Sequence, residues 1–308
     1  MPTYRLTVEY EGTRYRGWQE QKNARTVAGE LRRALEEVLG SPVDLGGAGR
    51  TDAGVHALAQ VAHLRTAAPF ELAGACERVN DALPPDVHLL ALEPAHPRFH
   101  ARHDAQLRSY LYQISRRRTA LGKRFVWWVK RPLDLAAMAA ALAVAPGRHD
   151  FARFAERNPD PEASTLVEVE RAEVAEAGDL VLVRIVASHF LWKMVRRLVG
   201  TLVEVGGGDL SVAAFRALVE DPEAASGTKP AEWTAPPSGL FLERVLYAGD
   251  PALGALAPAV PVTTPPAAAR AASARSAPRP RARPGRPSSP GRRGRDGGPR
   301  GRGRRPPR

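Results

Sequence analysis

The chain has 308 residues, a formal net charge of +12 and one cysteine, Cys76. A single thiol excludes an intrachain disulfide and any multi-cysteine metal site, and it fits a reducing compartment. Residues 270–308 hold fourteen arginines and one aspartate, a local excess of +13, so the rest of the chain sums to −1 and the overall basicity says nothing about a folded body.

Met1-Pro2-Thr3-Tyr4-Arg5 leads straight into an alternating pattern, with Tyr4, Leu6, Val8 and Tyr10 on one face of a strand over residues 4–10. There is no apolar leader, and no run reaches the ~20 apolar residues of a membrane span. A soluble cytoplasmic protein is expected. Glu11-Gly12 turns the chain, Thr26 caps a helix over 27–39, and Gly40 stops it. Short strands near 43–45 and 59–64 flank a glycine-rich loop. A helix over 71–82 closes at Pro84-Pro85, and a strand follows over 87–92.

The pattern restarts with a strand over 106–115 and an alanine-rich helix over 133–145. Strands over 166–174 and 180–187 come next, then an apolar helix over 190–205 ended by Gly206-Gly207-Gly208. A helix over 211–220 and a strand over 240–247 complete the pattern. Both halves read as sheet backed by helices, an α+β class, with no residue-level repeat between them. The divisions expected are residues 1–104, 105–248 and a tail over 249–308. Almost no large apolar residue follows Val262, so the tail is expected to stay disordered, its Arg-Pro and Gly-Arg units attracting phosphate without reading sequence.

The loop Gly47-Ala48-Gly49-Arg50-Thr51-Asp52-Ala53-Gly54-Val55-His56 sets one carboxylate beside one guanidinium in a turn. Gly47, Gly49 and Gly54 can each take positive φ, letting the chain bend around Asp52 and display it at a sheet end. Arg50 can favour the charged carboxylate. An ordinary surface Asp-Gly turn with a local ion pair has the same composition.

Arg196 and Arg197 sit inside an apolar run, where an inward guanidinium needs an anionic partner, for which Asp52 is a candidate; the alternative is that both reach solvent. Tyr110 and Tyr112 share one strand face, as core or as an aromatic plate for a base. Arg116-Arg117-Arg118, Lys123-Arg124 and Lys130-Arg131 bracket Trp127-Trp128, which suits a polyanion with exposed bases and equally a solvated loop. His96, His100 and His103 lack metal-ligand spacing, and no phosphate-cradling or serine-nucleophile motif is present, so neither metal nor cofactor is expected.

Seven pieces occur in order: Tyr10-Glu11-Gly12-Thr13-Arg14-Tyr15-Arg16-Gly17-Trp18-Gln19, Ala48 to His56, Phe99-His100-Ala101-Arg102, Arg108-Ser109-Tyr110-Leu111-Tyr112, Gly147 to Phe151, Met194 to Gly200, and Ala235 to Leu240. Together they resemble the tRNA pseudouridine synthase A family across residues 3–248. The resemblance implies two similar sheet-plus-helix halves flanking a central catalytic cleft, a homodimer, and isomerisation of uridines at tRNA positions 38 to 40 without a cofactor. It implies that Asp52 is the catalytic aspartate, flanked by Arg50 and Arg196. Tyr110 would line the uracil pocket, Leu240 and Leu242 would form an apolar wall, and Arg14, Arg102 and Arg108 would hold RNA. Ser164 to Val169 and Ser188-His189-Phe190 depart from the family pattern. Two rivals remain on residues alone: a glycoside hydrolase, which needs a carboxylate pair, and a silent RNA-binding protein, which would not need Asp52.

Overall fold

The computed structural model describes residues 1–156, 163–221 and 227–262. The strands are β1 (Thr3–Tyr10), β2 (Asp44–Gly47), β3 (His56–Arg65), β4 (Val87–Pro94), β5 (Leu107–Ser115), β6 (Trp127–Trp128), β7 (Gly147–Asp150), β8 (Leu166–Ala177), β9 (Leu180–Ala187) and β10 (Leu240–Leu246). The helices are α1 (Val27–Leu39), α2 (Ala75–Ala82), α3 (Leu135–Leu142), α4 (Met194–Gly207) and α5 (Val212–Glu220). All ten strands join one mixed sheet in the order β4-β1-β3-β10-β5-β9-β8-β7, with β2 on β3 and β6 on β5. This is the α+β architecture expected from the patterning.

Last in sequence, β10 enters the middle of the sheet. It runs parallel to β3 and antiparallel to β5, placing Leu242 opposite both Ala57 and Tyr110. The sheet therefore continues unbroken from the strands before residue 104 to those after it. Leu6 and Val8 of β1, Leu31 and Leu35 of α1, Tyr112 and Ile114 of β5, and Leu198 and Leu202 of α4 share one buried cluster.

The α1 boundaries follow the expected caps: the Thr26 hydroxyl accepts from the Gly29 N–H, and Gly40 takes φ 66. Three helices start two or more residues later than the spacing predicts. Gly74 at φ 67 cannot be helical, so α2 begins at Ala75 instead of near 71. Asp134 accepts from the Ala137 N–H and starts α3 at Leu135. Lys193 takes φ 63, so residues 190–193 lie outside α4, which instead runs on through Gly206 and Gly207. Gly206 stays helical because α3 packs onto it: an added Cβ would stand 2.7 Å from the Met138 sulfur.

The stretch 249–262, expected to belong to a disordered tail, instead packs on the sheet. Leu256, Ala259, Val260 and Val262 pack against the face opposite the helices, with Leu111, Leu182 and Phe241. The Gln113 amide brackets Val260, donating to its carbonyl at 3.2 Å and accepting from its N–H at 3.3 Å. Arg184, held by Glu243 at 2.5 Å, donates to the carbonyls of Gly254 and Ala255. Composition alone does not reveal such polar fastening by side chains far away in sequence. Residues 263–308 lie outside the described residues. Among the described residues no helix is long and apolar enough to cross a membrane.

His63 on β3 is buried, and its Nδ1 accepts from the Ala101 N–H at 3.2 Å. Burial first, then the neighbouring His100 and Arg65, lower its pKa from 6.5 to about 4. The unfolded chain binds a proton that the folded chain refuses, so the stabilisation is whole above pH ~6.5 and drains away towards pH ~4, by up to about 3 kcal/mol. Urea midpoints measured from pH 7 to 4 are expected to fall, and His63→Gln to flatten that slope.

Candidate active site

Residues 48–55 join β2 to β3 and are fastened from several sides. The Ala48 N–H donates to the Val61 carbonyl, the Gln60 amide to the Gly49 carbonyl, and the Trp18 N–H to the Thr51 carbonyl, at 2.8, 2.9 and 3.1 Å. Tyr10 Oη and Thr51 Oγ1 lie 2.8 Å apart in the core, and burial raises the Tyr10 pKa. Of the three loop glycines, only Gly54 takes positive φ, at 81. Gly47 is required for a different reason: a Cβ there would stand 2.5 Å from the Trp18 indole nitrogen. Gly17, at φ 94, lets the preceding turn approach so closely that a Cβ would lie 2.4 Å from the Thr51 carbonyl.

His56 closes the loop. Its Nδ1 accepts from the Gly12 N–H at 3.0 Å and its Nε2 lies 2.9 Å from the Arg124 carbonyl, to which the neutral ring donates. Burial lowers its pKa, which favours that neutral ring.

The Asp52 carboxylate stands partly exposed and is held at both oxygens. Arg196 Nη1 donates to Oδ2 at 3.3 Å, and the Trp192 indole N–H donates to Oδ1 at 3.0 Å. Of the two expected flanking arginines, only Arg196 meets the carboxylate. Arg50 is exposed and makes no ion pair or side-chain hydrogen bond among the described residues, because the loop turns its side chain outward. Arg196 is aimed by a second bond, from Nε to the Ala235 carbonyl at 2.7 Å. The segment carrying Ala235 presses on α4 at Gly200, where a Cβ would lie 1.5 Å from the Trp233 carbonyl.

The two tyrosines divide between the alternatives left open by their spacing. Tyr112 is buried and donates to the Pro236 carbonyl at 2.7 Å, so it braces that segment. The Tyr110 hydroxyl has no hydrogen-bond partner among the described residues. Burial and then the Asp52 charge raise its pKa, which keeps the phenol protonated near neutrality. Phe190 packs edge-on against its ring, and Leu242 lies directly across from it on β10. Leu240, two residues earlier, is buried beside Tyr112.

Beside the loop, a cleft of about 460 Å³ is lined by Arg14, Arg16 and Arg25 with Tyr15, Ala53 and Gly54. Arg25 is paired with Glu30, whereas Arg14 and Arg16 are exposed and pair with no carboxylate among the described residues. Arg102 is exposed as well. Arg108, expected at the substrate, instead gives its guanidinium to four backbone carbonyls: Ala105, Ser188, Ala48 and Arg102, at 2.7–3.2 Å. It ties the start of the Asp52 loop to the strand ends, leaving little donor capacity for phosphate.

The spacing of residues did not mark out Trp192 or Phe190, although both lie in the apolar run that carries Arg196. They reach the site because Lys193 takes the one positive φ of a non-glycine residue among those described, a conformation costing about 1–2 kcal/mol. Lys193 is held by Glu156 at 2.9 Å, which also receives Arg197 at 2.5 Å. Among the described residues no group of three or more His, Cys, Asp or Glu could hold a metal ion.

The model of the tRNA pseudouridine synthase family matches residues 6–104 and 141–248. Among curated proteins, the tRNA pseudouridine synthase A of Pelobacter propionicus is 40% identical over 249 residues, covering 80% of this chain and all of that protein. The proteins of the same name from Allorhizobium ampelinum and Beijerinckia indica are 40% and 42% identical, over 81% and 80% of this chain and 96% and 94% of their own lengths.

Arg108→Ala strands four carbonyls and is expected to act on stability first. At about 1–3 kcal/mol, the melting temperature should fall by roughly 2–6 °C, as differential scanning calorimetry would show. A normal melting temperature with impaired RNA binding would return Arg108 to the substrate.

Proposed function

Because the chain belongs to the tRNA pseudouridine synthase family, we propose that it isomerises uridine to pseudouridine at positions 38 to 40 of the tRNA anticodon arm, with Asp52 as the catalytic carboxylate. One observation carries the residue assignment: a carboxylate held by Arg196 and Trp192 beside a protonated, unpartnered tyrosine and an apolar strand. The reading takes residues 1–104 and 105–248 as two halves meeting at this cleft.

In the isomerisation the bond from uracil N1 to ribose C1′ breaks, the base turns, and C5 bonds to C1′. A proton leaves C5 and one is gained at N1, so no electrons are exchanged. Two routes fit Asp52: attack on C1′, or removal of a sugar proton in an elimination. Either needs an oxygen lone pair directed at the ribose, and each carboxylate oxygen retains one beyond its present bond. Arg196 stabilises the charge on Asp52 in the resting enzyme and aims the group.

The base stacks against Tyr110, with Leu242 beside it on the same sheet face, and the Tyr110 hydroxyl relays the proton at C5. The uridine must first leave its stack, which favours a grip on the flanking backbone. Arg14 and Arg16 in the basic cleft, with exposed Arg50 and Arg102, supply unpaired cations for those phosphates. The same reading takes the enzyme to be cytoplasmic and homodimeric; light scattering in solution at twice the monomer mass would accord with the dimer.

Unmodified tRNA carrying uridine at positions 38 to 40 is expected to gain pseudouridine at those positions when incubated with the protein. Asp52→Asn is expected to lower turnover by about a thousandfold or more while leaving tRNA affinity within about twofold. Undiminished turnover in that variant would remove Asp52 from the reaction. Arg14→Ala combined with Arg16→Ala should chiefly raise KM and shallow the dependence of binding on salt, by a slope of about one per lost contact.

A further inference from the structure

Trp192 is 56% exposed, yet its indole N–H is committed to Asp52 Oδ1 at 3.0 Å. An exposed tryptophan can give its N–H to water at no structural cost. Here the backbone is bent to avoid that outcome. The next residue, Lys193, is in the left-handed region at φ 63, and its ammonium is drawn to Glu156 at 2.9 Å while standing 5.1 Å from the Trp192 ring centre. Arg197 secures the same glutamate from the first turn of α4. The residues at the start of α4 thus spend conformational energy on presenting one donor to one carboxylate oxygen.

Arg196 alone cannot fix the carboxylate. It reaches Oδ2 only, through one nitrogen at 3.3 Å, and so leaves the group free to rotate about its last side-chain torsion. A second donor on Oδ1, arriving from a different residue, removes that rotation. Glu156 shares the ammonium of Lys193 and the guanidinium of Arg197, and its own backbone N–H donates to the Trp192 carbonyl at 2.9 Å, so it holds the Trp192 backbone as well as the residue that follows it.

We propose that Trp192 is a positioning residue for the isomerisation: its indole N–H locks the plane of the Asp52 carboxylate, so that a free lone pair points at the ribose when the uridine enters. This assignment rests on Asp52 as the reacting carboxylate. A hydrogen bond to a charged acceptor that is lost without replacement corresponds to roughly a tenfold to hundredfold effect. The ring is mostly exposed, so its replacement should leave the fold intact.

The test uses the full chain and an unmodified tRNA substrate, comparing wild type, Trp192→Phe and Asp52→Asn. Trp192→Phe keeps an aromatic ring and removes the N–H donor with the smaller ring that carries it. It is expected to lower kcat by about tenfold to a hundredfold with KM within about twofold and an unchanged melting temperature. The indole N–H resonance of Trp192, identified by its loss in Trp192→Phe, is expected to shift in Asp52→Asn, a readout independent of turnover. Wild-type kcat in Trp192→Phe overturns the proposal, as does a loss confined to KM, which would make the ring an RNA contact. An unmoved indole resonance in Asp52→Asn also overturns it. Full turnover by Asp52→Asn sinks the catalytic reading and the proposal together, whereas an inert Asp52→Asn beside a fully active Trp192→Phe sinks the proposal alone.

Discussion

Asp52 and Arg196 lie 144 residues apart in the chain and 3.3 Å apart in space. Each is partly withdrawn from water, with side chains 28% and 15% exposed, so either charge without the other carries some desolvation cost. Bringing them together requires a loop from before β3 and a helix from after β9 to converge on one point. The sheet accomplishes this through β10, which pairs with β3 on one side and β5 on the other. The ion pair therefore depends on register: a slip of one residue in β10 would carry Leu242 away from Tyr110 and turn it to the opposite face.

Close backbone approach adds to the polar contacts around the pair. Gly17 brings a turn onto Thr51, Gly12 stands where a Cβ would lie 1.9 Å from the Val55 carbonyl, and Gly200 admits the Trp233 carbonyl onto α4. These contacts clamp the loop and the helix independently, so the carboxylate and the guanidinium arrive already oriented. Such preorganisation is what the proposed role of Asp52 requires, since a charged group already in place needs no reorganisation when substrate enters.

The face opposite the helices is finished in another way. Arg184 is 2% exposed and sits between Glu243 and the carbonyls of Gly254 and Ala255, while Gln113 holds Val260 through both of its amide atoms. The family match ends at residue 248, so this covering segment is an addition beyond it. It seals Leu111, Leu182 and Phe241 from water, in a cluster separate from the one that holds Tyr110 and Leu242.

Local rules made much of this legible in the residues themselves. The alternation of β1 and β5, the Thr26 cap, the Gly40 stop and the glycine-rich turn at Asp52 all follow from chemistry acting over a few neighbours, and the ordered motifs marked the family. What lay beyond that reach depended on partners distant in sequence. Spacing could not tell that Arg50 turns outward while Arg196 turns in, or that Arg108 is spent on four carbonyls. Nor could it tell that Tyr112 braces a loop while Tyr110 faces the site, because these outcomes depend on which strand lies alongside. Trp192 was hidden for a sharper reason. Its placement follows from one left-handed residue, Lys193, a conformation its own side chain disfavours and that a glutamate 37 positions earlier helps to hold.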